Sequence, residues 1–108
     1  ANFIARGFTG NVGYCARLIV EAIRTPGFSF VQLLSPCVTF REDQQAGWKK
    51  ITHEAVVPET DDPGRAARRL MTDDGFNLGI LYRGHRAPYQ PKPLADLDVS
   101  RLEAEFAI

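Results

Sequence analysis

Between Phe3 and Leu34 the hydrophobic pattern changes period twice, and the order of the changes restricts the fold more than any other feature of the chain. Phe3-Ile4-Ala5-Arg6-Gly7-Phe8 is short and mostly apolar, and Thr9 and Gly10 follow it, as expected of a buried strand stopped by a turn. Cys15, Leu18, Ile19, Ala22 and Ile23 then recur at helical spacing, with Arg17, Glu21 and Arg24 on the other side. This predicts an amphipathic helix from Val12 to Arg24. Thr25-Pro26-Gly27 ends it, because Pro26 holds Thr25 in extended geometry. Phe28-Ser29-Phe30-Val31-Gln32-Leu33-Leu34 is aromatic and β-branched with few polar positions, the pattern of a strand covered on both faces in a parallel sheet. Strand, helix and strand in this order predict a right-handed crossover and an α/β fold with mainly parallel strands.

Ser35-Pro36 stops the second strand, since Pro36 has no N–H to give to a ladder. Cys37-Val38-Thr39-Phe40 therefore opens a loop at the carboxyl end of a parallel strand, the edge where open α/β sheets place their ligands. From Arg41 to Glu59 the pattern is irregular and polar, and reads as a long loop anchored by Trp48, Ile51, Val56 and Val57. Asp62-Pro63 is a helix start, predicting a short helix through Met71 that Asp73-Asp74-Gly75 closes. Phe76 to Tyr82 reads as a third strand, and Arg83 to Tyr89 as a polar connection. Pro91-Lys92-Pro93 fits neither regular element, and Ser100-Arg101-Leu102-Glu103 has the form of a capping box before a short terminal helix carrying Leu102 and Phe106. The expected organisation is one unit over 1–108, with a strand-helix-strand portion at 1–40 and a loop, helix, strand and tail at 41–108.

A chain of 108 residues and 12.0 kDa leaves about 6,000 Å² exposed when folded, against roughly 17,000 Å² extended, which suits one small core and not two. Lys and Arg number 13 and Asp and Glu number 13, so the formal charge is zero and nothing in the composition favours nucleic acid or an anionic membrane. The longest apolar runs fall far short of the ~20 residues that span a bilayer. No export signal is recognisable near Ala1, and two cysteines are too few for a disulfide framework, so a reducing cytoplasm is the expected location. The start at Ala1, just before an apolar strand, reads as a cut through a longer polypeptide.

Few residues are candidates for chemistry. Cys15 lies on the apolar helical stripe and is expected in the core. Cys37 stands out by position, although a lone Cys is more often a small buried hydrophobe than a ligand or nucleophile. A nucleophilic Cys37 needs a base, and His53 and His85 lie in separate polar segments at no informative spacing. A site built from Cys alone needs four thiolates, so a cluster at Cys37 would draw its other ligands from outside these residues. Arg65, Arg68 and Arg69 are expected to form a solvated face balanced by Asp61, Asp62, Asp73 and Asp74, and Trp48 an anchor packed on the sheet. Gly7 and Gly10 have the wrong spacing for a phosphate-binding loop.

Three stretches together resemble one family: Phe3 to Phe8, Pro26-Gly27-Phe28-Ser29-Phe30-Val31, and Leu34-Ser35-Pro36-Cys37-Val38-Thr39-Phe40. They are similar to the carboxyl-terminal third of the thiamin-diphosphate-binding β subunit of 2-oxoacid:ferredoxin oxidoreductases. The Ser-Pro-Cys-Val-Thr-Phe stretch and Gly47-Trp48-Lys49 look most like the 2-oxoglutarate type, and Asp62 to Tyr89 also matches. The resemblance implies oxidative decarboxylation of a 2-oxoacid to an acyl-coenzyme A, with electrons passed through a [4Fe–4S] cluster to ferredoxin, in partnership with an α subunit. It implies thiamin diphosphate and Mg²⁺ held by a Gly-Asp-Gly motif and a downstream Asn, neither of which occurs here. It also implies a cluster held by three upstream cysteines and by the Cys of the Ser-Pro-Cys segment, which is Cys37. Amides of Val38 and Thr39 are expected to bond cluster sulfurs. The chain alone is then expected to be inert. The competing expectations are a thiamin-dependent decarboxylase without a cluster, in which Cys37 is structural, and a non-catalytic α/β module that docks through Trp48.

Overall fold

The computed structural model describes residues 1–37, 39–41, 44–55, 58–91 and 104–106. Strand β1 (Phe3–Phe8), helix α1 (Val12–Arg24) and strand β2 (Ser29–Leu34) follow in the predicted order. β1 and β2 pair in parallel, with Phe3 opposite Ser29 and Phe8 opposite Leu34. The Asn11 side chain caps α1 by accepting the Tyr14 amide at 3.1 Å, which satisfies one of the free donors at a helix start.

Helix α2 (Gln44–Ile51) and the two-residue strand β3 (His53–Glu54) occupy most of the segment read from sequence as a loop. α2 buries none of its residues, so it leaves no apolar stripe in the sequence to find. Lys49 and Lys50 in its last turn complement the negative end of the helix dipole. Trp48 anchors it edge-on against Phe76, with ring centroids 5.9 Å apart and planes at 72°. The anchor role holds, but the anchored element is a helix.

Helix α3 (Pro63–Thr72) begins as expected: the Asp62 carboxylate accepts the amides of Gly64 at 2.8 Å and Arg65 at 3.2 Å. These bonds favour the ionised form and hold the Asp62 carboxyl below its usual range. Strand β4 (Asn77–Arg83) completes a four-stranded sheet in the order β2-β1-β4-β3. The two flanking pairs are parallel, whereas the central β1/β4 pair is antiparallel, with a register shift between Ile4 and Ala5. Ala104–Phe106 is helical, while the capping-box residues before it lie outside the described residues.

The core lies between α1 and the sheet, where Phe3, Ala5 and Leu18 are buried and Tyr14, Ala22, Val31 and Ile80 pack around them. Gly7 permits the close approach of α1, since a Cβ there would sit 3.0 Å from Cys15 Sγ and 3.1 Å from a Leu33 methyl. On the opposite side Arg6 donates to Gln32 at 2.8 Å and to Asp73 at 3.3 Å, tying both parallel strands to the end of α3. Both ends of that ion pair are about nine-tenths buried, so its hydrogen bonds offset a real desolvation cost.

Two expectations change. Among the described strands β2 is a sheet edge, not a strand covered on both faces, and Phe30 and Leu33 are 52% and 40% exposed. Ile19 and Ile23, read as core positions of α1, are 40% and 78% exposed. Ile19 and Ile23 lie on the flank of α1 away from β3 and β4, whereas Phe30 lies with Gln32 on the face of β2 away from α1.

Candidate functional site

Cys37 follows β2 after a short extended stretch. Pro36 is buried, and Cys37 beside it is exposed, so the ring fixes the approach while the thiol stays outside the core. The chain then folds back on itself, with the Arg41 amide donating to the Cys37 carbonyl at 3.0 Å. This turn brings the Phe40 and Thr39 amides and the Thr39 hydroxyl near the thiol. The Phe40 amide, then that of Thr39, holds the thiol below its ordinary value, because an N–H dipole stabilises the thiolate. Of the two amides expected to face cluster sulfurs, that of Thr39 lies near the thiol of Cys37 itself, and Val38 lies outside the described residues. The Phe40 amide was missed from sequence, because a backbone donor leaves no residue-type signal.

The other sulfur is spent structurally. Cys15 is buried and its thiol donates to the Phe8 carbonyl at 3.1 Å. The two cysteines should therefore separate on alkylation. Iodoacetamide is expected to modify Cys37 in the native chain and to spare Cys15, with the Cys37 rate rising through a midpoint below that of an unperturbed thiol. Peptide mapping over a pH series checks both statements: equal labelling would show that Cys15 is not held in the core, and an ordinary thiol midpoint at Cys37 that the turn does not hold.

Neither histidine reaches Cys37. The sheet order places β3, which carries His53, three strand spacings from β2, about 14 Å across the sheet. His53 is engaged there, with Nδ1 2.8 Å from the Ile51 carbonyl and Nε2 3.8 Å from Asp74. His85 follows the carboxyl end of β4, and because β4 is antiparallel to β1 that is the opposite end of the sheet from Cys37. It lines an open cleft of about 470 Å³ with Asn2, Glu21, Arg24 and Arg83. Arg65 and Arg68 are exposed, and Arg69 donates to the Pro58 carbonyl at 2.6 Å, as a solvated face with one structural contact. Among the described residues no group of three or more His, Cys, Asp or Glu is arranged to hold a metal ion. Cys37 thus presents one exposed sulfur, and a metal centre built from Cys alone would need further thiolates.

No family model matches the chain. It is 30% identical to 2-oxoacid:ferredoxin oxidoreductase 2, subunit beta, of Aeropyrum pernix over 94 residues, which cover 74% of this chain and 30% of that protein. It is 26% identical to the 2-oxoacid:ferredoxin oxidoreductase subunit beta of a Sulfolobus species over 100 residues, covering 80% of this chain and 33% of that protein. The chain is similar in sequence to the β subunits of 2-oxoacid:ferredoxin oxidoreductases. It spans about a third of the length of these β subunits. A 2-oxoglutarate:ferredoxin oxidoreductase from Magnetococcus marinus, solved with 2-oxoglutarate, coenzyme A and succinyl-CoA bound, shares the fold with a TM-score of 0.64 at 24% identity. That likeness takes in 97% of this chain and 35% of the oxidoreductase chain. Among the described residues no helix is long and apolar enough to cross a membrane.

Proposed function

We propose that the chain is a portion of the β subunit of a cytoplasmic 2-oxoacid:ferredoxin oxidoreductase, acting on 2-oxoglutarate, in which Cys37 supplies one thiolate to a [4Fe–4S] cluster. The reaction releases the carboxyl group as CO₂, joins the remaining acyl group to the coenzyme A thiol and passes two electrons to ferredoxin. The sequence similarity to the β subunits supports the family of reaction. The single observation that carries the role of Cys37 is its exposed sulfur, set shortly after β2 in a turn closed by the Arg41 amide on the Cys37 carbonyl.

The cluster would supply one-electron chemistry, and thiamin diphosphate with Mg²⁺ would supply the decarboxylation chemistry. This chain contributes position and polarity. Pro36 limits the backbone freedom of the ligand, and the Thr39 and Phe40 amides stabilise negative charge on sulfur, which favours the reduced state of a bound centre. The remaining three thiolates and the diphosphate-binding motif belong to the two thirds of the subunit that the chain does not span. The α subunit and ferredoxin are the expected partners.

The test is anaerobic reduction of ferredoxin by the longer polypeptide together with its α subunit. Reduction is expected to depend on both 2-oxoglutarate and coenzyme A, and the 108-residue chain alone is expected to give none. Reduction by the isolated chain, or none by the complete assembly with any 2-oxoacid, overturns the reading.

A further inference from the structure

α1 carries two apolar stripes where one is needed. Cys15, Leu18 and Ala22 face the sheet, and Tyr14, Arg17 and Glu21 flank them on the side toward β3 and β4, where they line one cleft with Glu54 and Ile80. At 100° per residue, Val12, Ile19 and Ile23 then fall on the other flank, above β2. All three are exposed, as are Leu33 on the α1 side of β2, Phe30 on the other face of the same strand and Phe28 just before it. β2 itself has an open side, since it pairs only with β1 among the described strands. It carries no charge, no Pro and no bulge, the devices by which natural edges avoid further pairing. This is an apolar helix flank directly beside an unprotected strand edge.

We propose that the α1 flank and the β2 edge are the docking surface for the rest of a longer polypeptide, which adds a strand to β2 and apolar side chains against Val12, Ile19 and Ile23. The occupant follows from length. The matched β subunits are about three times the matched region, and the likeness to the solved oxidoreductase takes in only 35% of that chain. An uncharged edge suits a permanent neighbour in one chain better than an exchanging partner, whose interfaces are more polar. The inference rests on the reading of the chain as part of such a subunit, and it uses neither Cys37 nor iron.

Amide hydrogen exchange distinguishes the cases, with the 108-residue chain compared with the polypeptide translated from its whole reading frame. The outward amides of β2 are expected to exchange at least about ten-fold more slowly in the longer polypeptide, since they gain ladder partners there. The double variant Ile23→Lys, Phe30→Lys is expected to leave the melting temperature of the isolated chain nearly unchanged, because both side chains are exposed in it. In the longer polypeptide the same variant should abolish the added protection, and Val20→Lys, on another face of α1, should not. Equal exchange in the two proteins overturns the proposal. So does protection in the isolated chain that rises with concentration, which would make the occupant a second copy, or that vanishes on truncation after Pro91, which would make it the chain's own tail. A reading frame with no further residues overturns it as well. Protection of β2 in a polypeptide that lacks 2-oxoacid activity would leave this surface standing while the proposed function fell.

Discussion

Replacing Cys37 by Ser in the longer polypeptide is expected to remove most of the [4Fe–4S] signal seen by electron spin resonance after anaerobic reduction. Loss of an outer-shell partner alone typically costs 10–100-fold in metal affinity, so loss of a direct thiolate should cost at least about that much. Serine is nearly isosteric, but its oxygen is a harder and far less acidic donor than sulfur, and the Thr39 and Phe40 amides do not change that. The chain should still fold, because the side chain is exposed and packs in no core. Cys15→Ser is the control: a hydroxyl there can keep the bond to the Phe8 carbonyl, and the cluster signal should survive. An unchanged signal in the Cys37 variant would favour a thiamin-dependent enzyme in which Cys37 is structural. Loss of signal in both variants would point to misfolding and not to ligation.

The parts of the fold that could be read in the sequence are those with a local hydrophobic pattern bounded by turn residues. β1, α1 and β2 qualify, and the predicted helix bounds coincide with Val12–Arg24, where Thr25-Pro26 marks the end; the Asn11 cap is found only in the structure. α3 was legible through Asp62-Pro63 alone. α2 was not, since Gln44-Gln45-Ala46-Gly47 has no apolar face and a central glycine, and its one large contact, Trp48 on Phe76, is made across the chain. The direction of β4 was equally hidden. An apolar run carries no arrow, and the antiparallel pairing of β4 with β1 appears only in the structure. At the site, the place of Cys37 after a strand end was legible and the donors to its sulfur were not.

The mismatch between pattern and burial is itself informative. Ile19 and Ile23 fall at core spacing in the sequence, yet the structure leaves them open together with Phe30 and Leu33 of the adjacent edge. Local patterning and global fold normally agree, so positions patterned for burial but found exposed mark where a packing neighbour belongs. Such a surface also limits stability. A chain of this size with an uncovered flank relies on few buried side chains, and this sets the scale of the last effect.

Phe3→Ala is expected to unfold much of the isolated chain at ambient temperature. Among the described residues Phe3 is the largest fully buried side chain, at the start of β1 between β2 and β4, with its ring under the Arg83 guanidinium at 5.2 Å. Truncating a buried Phe costs about 3–5 kcal/mol in lost transfer energy and cavity. A further 0.5–1 kcal/mol, roughly, goes with the cation–π contact. Small domains have about 5–15 kcal/mol in all, and a chain with an open edge belongs at the low end. Arg83 would keep its bonds to Glu59 at 3.0 Å and Glu21 at 3.3 Å, so the loss is one of packing and not of charge pairing. Urea denaturation followed by circular dichroism measures it. Phe3→Leu, which refills most of the space, should recover the greater part of the loss. If instead Phe3→Ala cost under about 1 kcal/mol, the value typical of surface positions, the core would not be centred on β1.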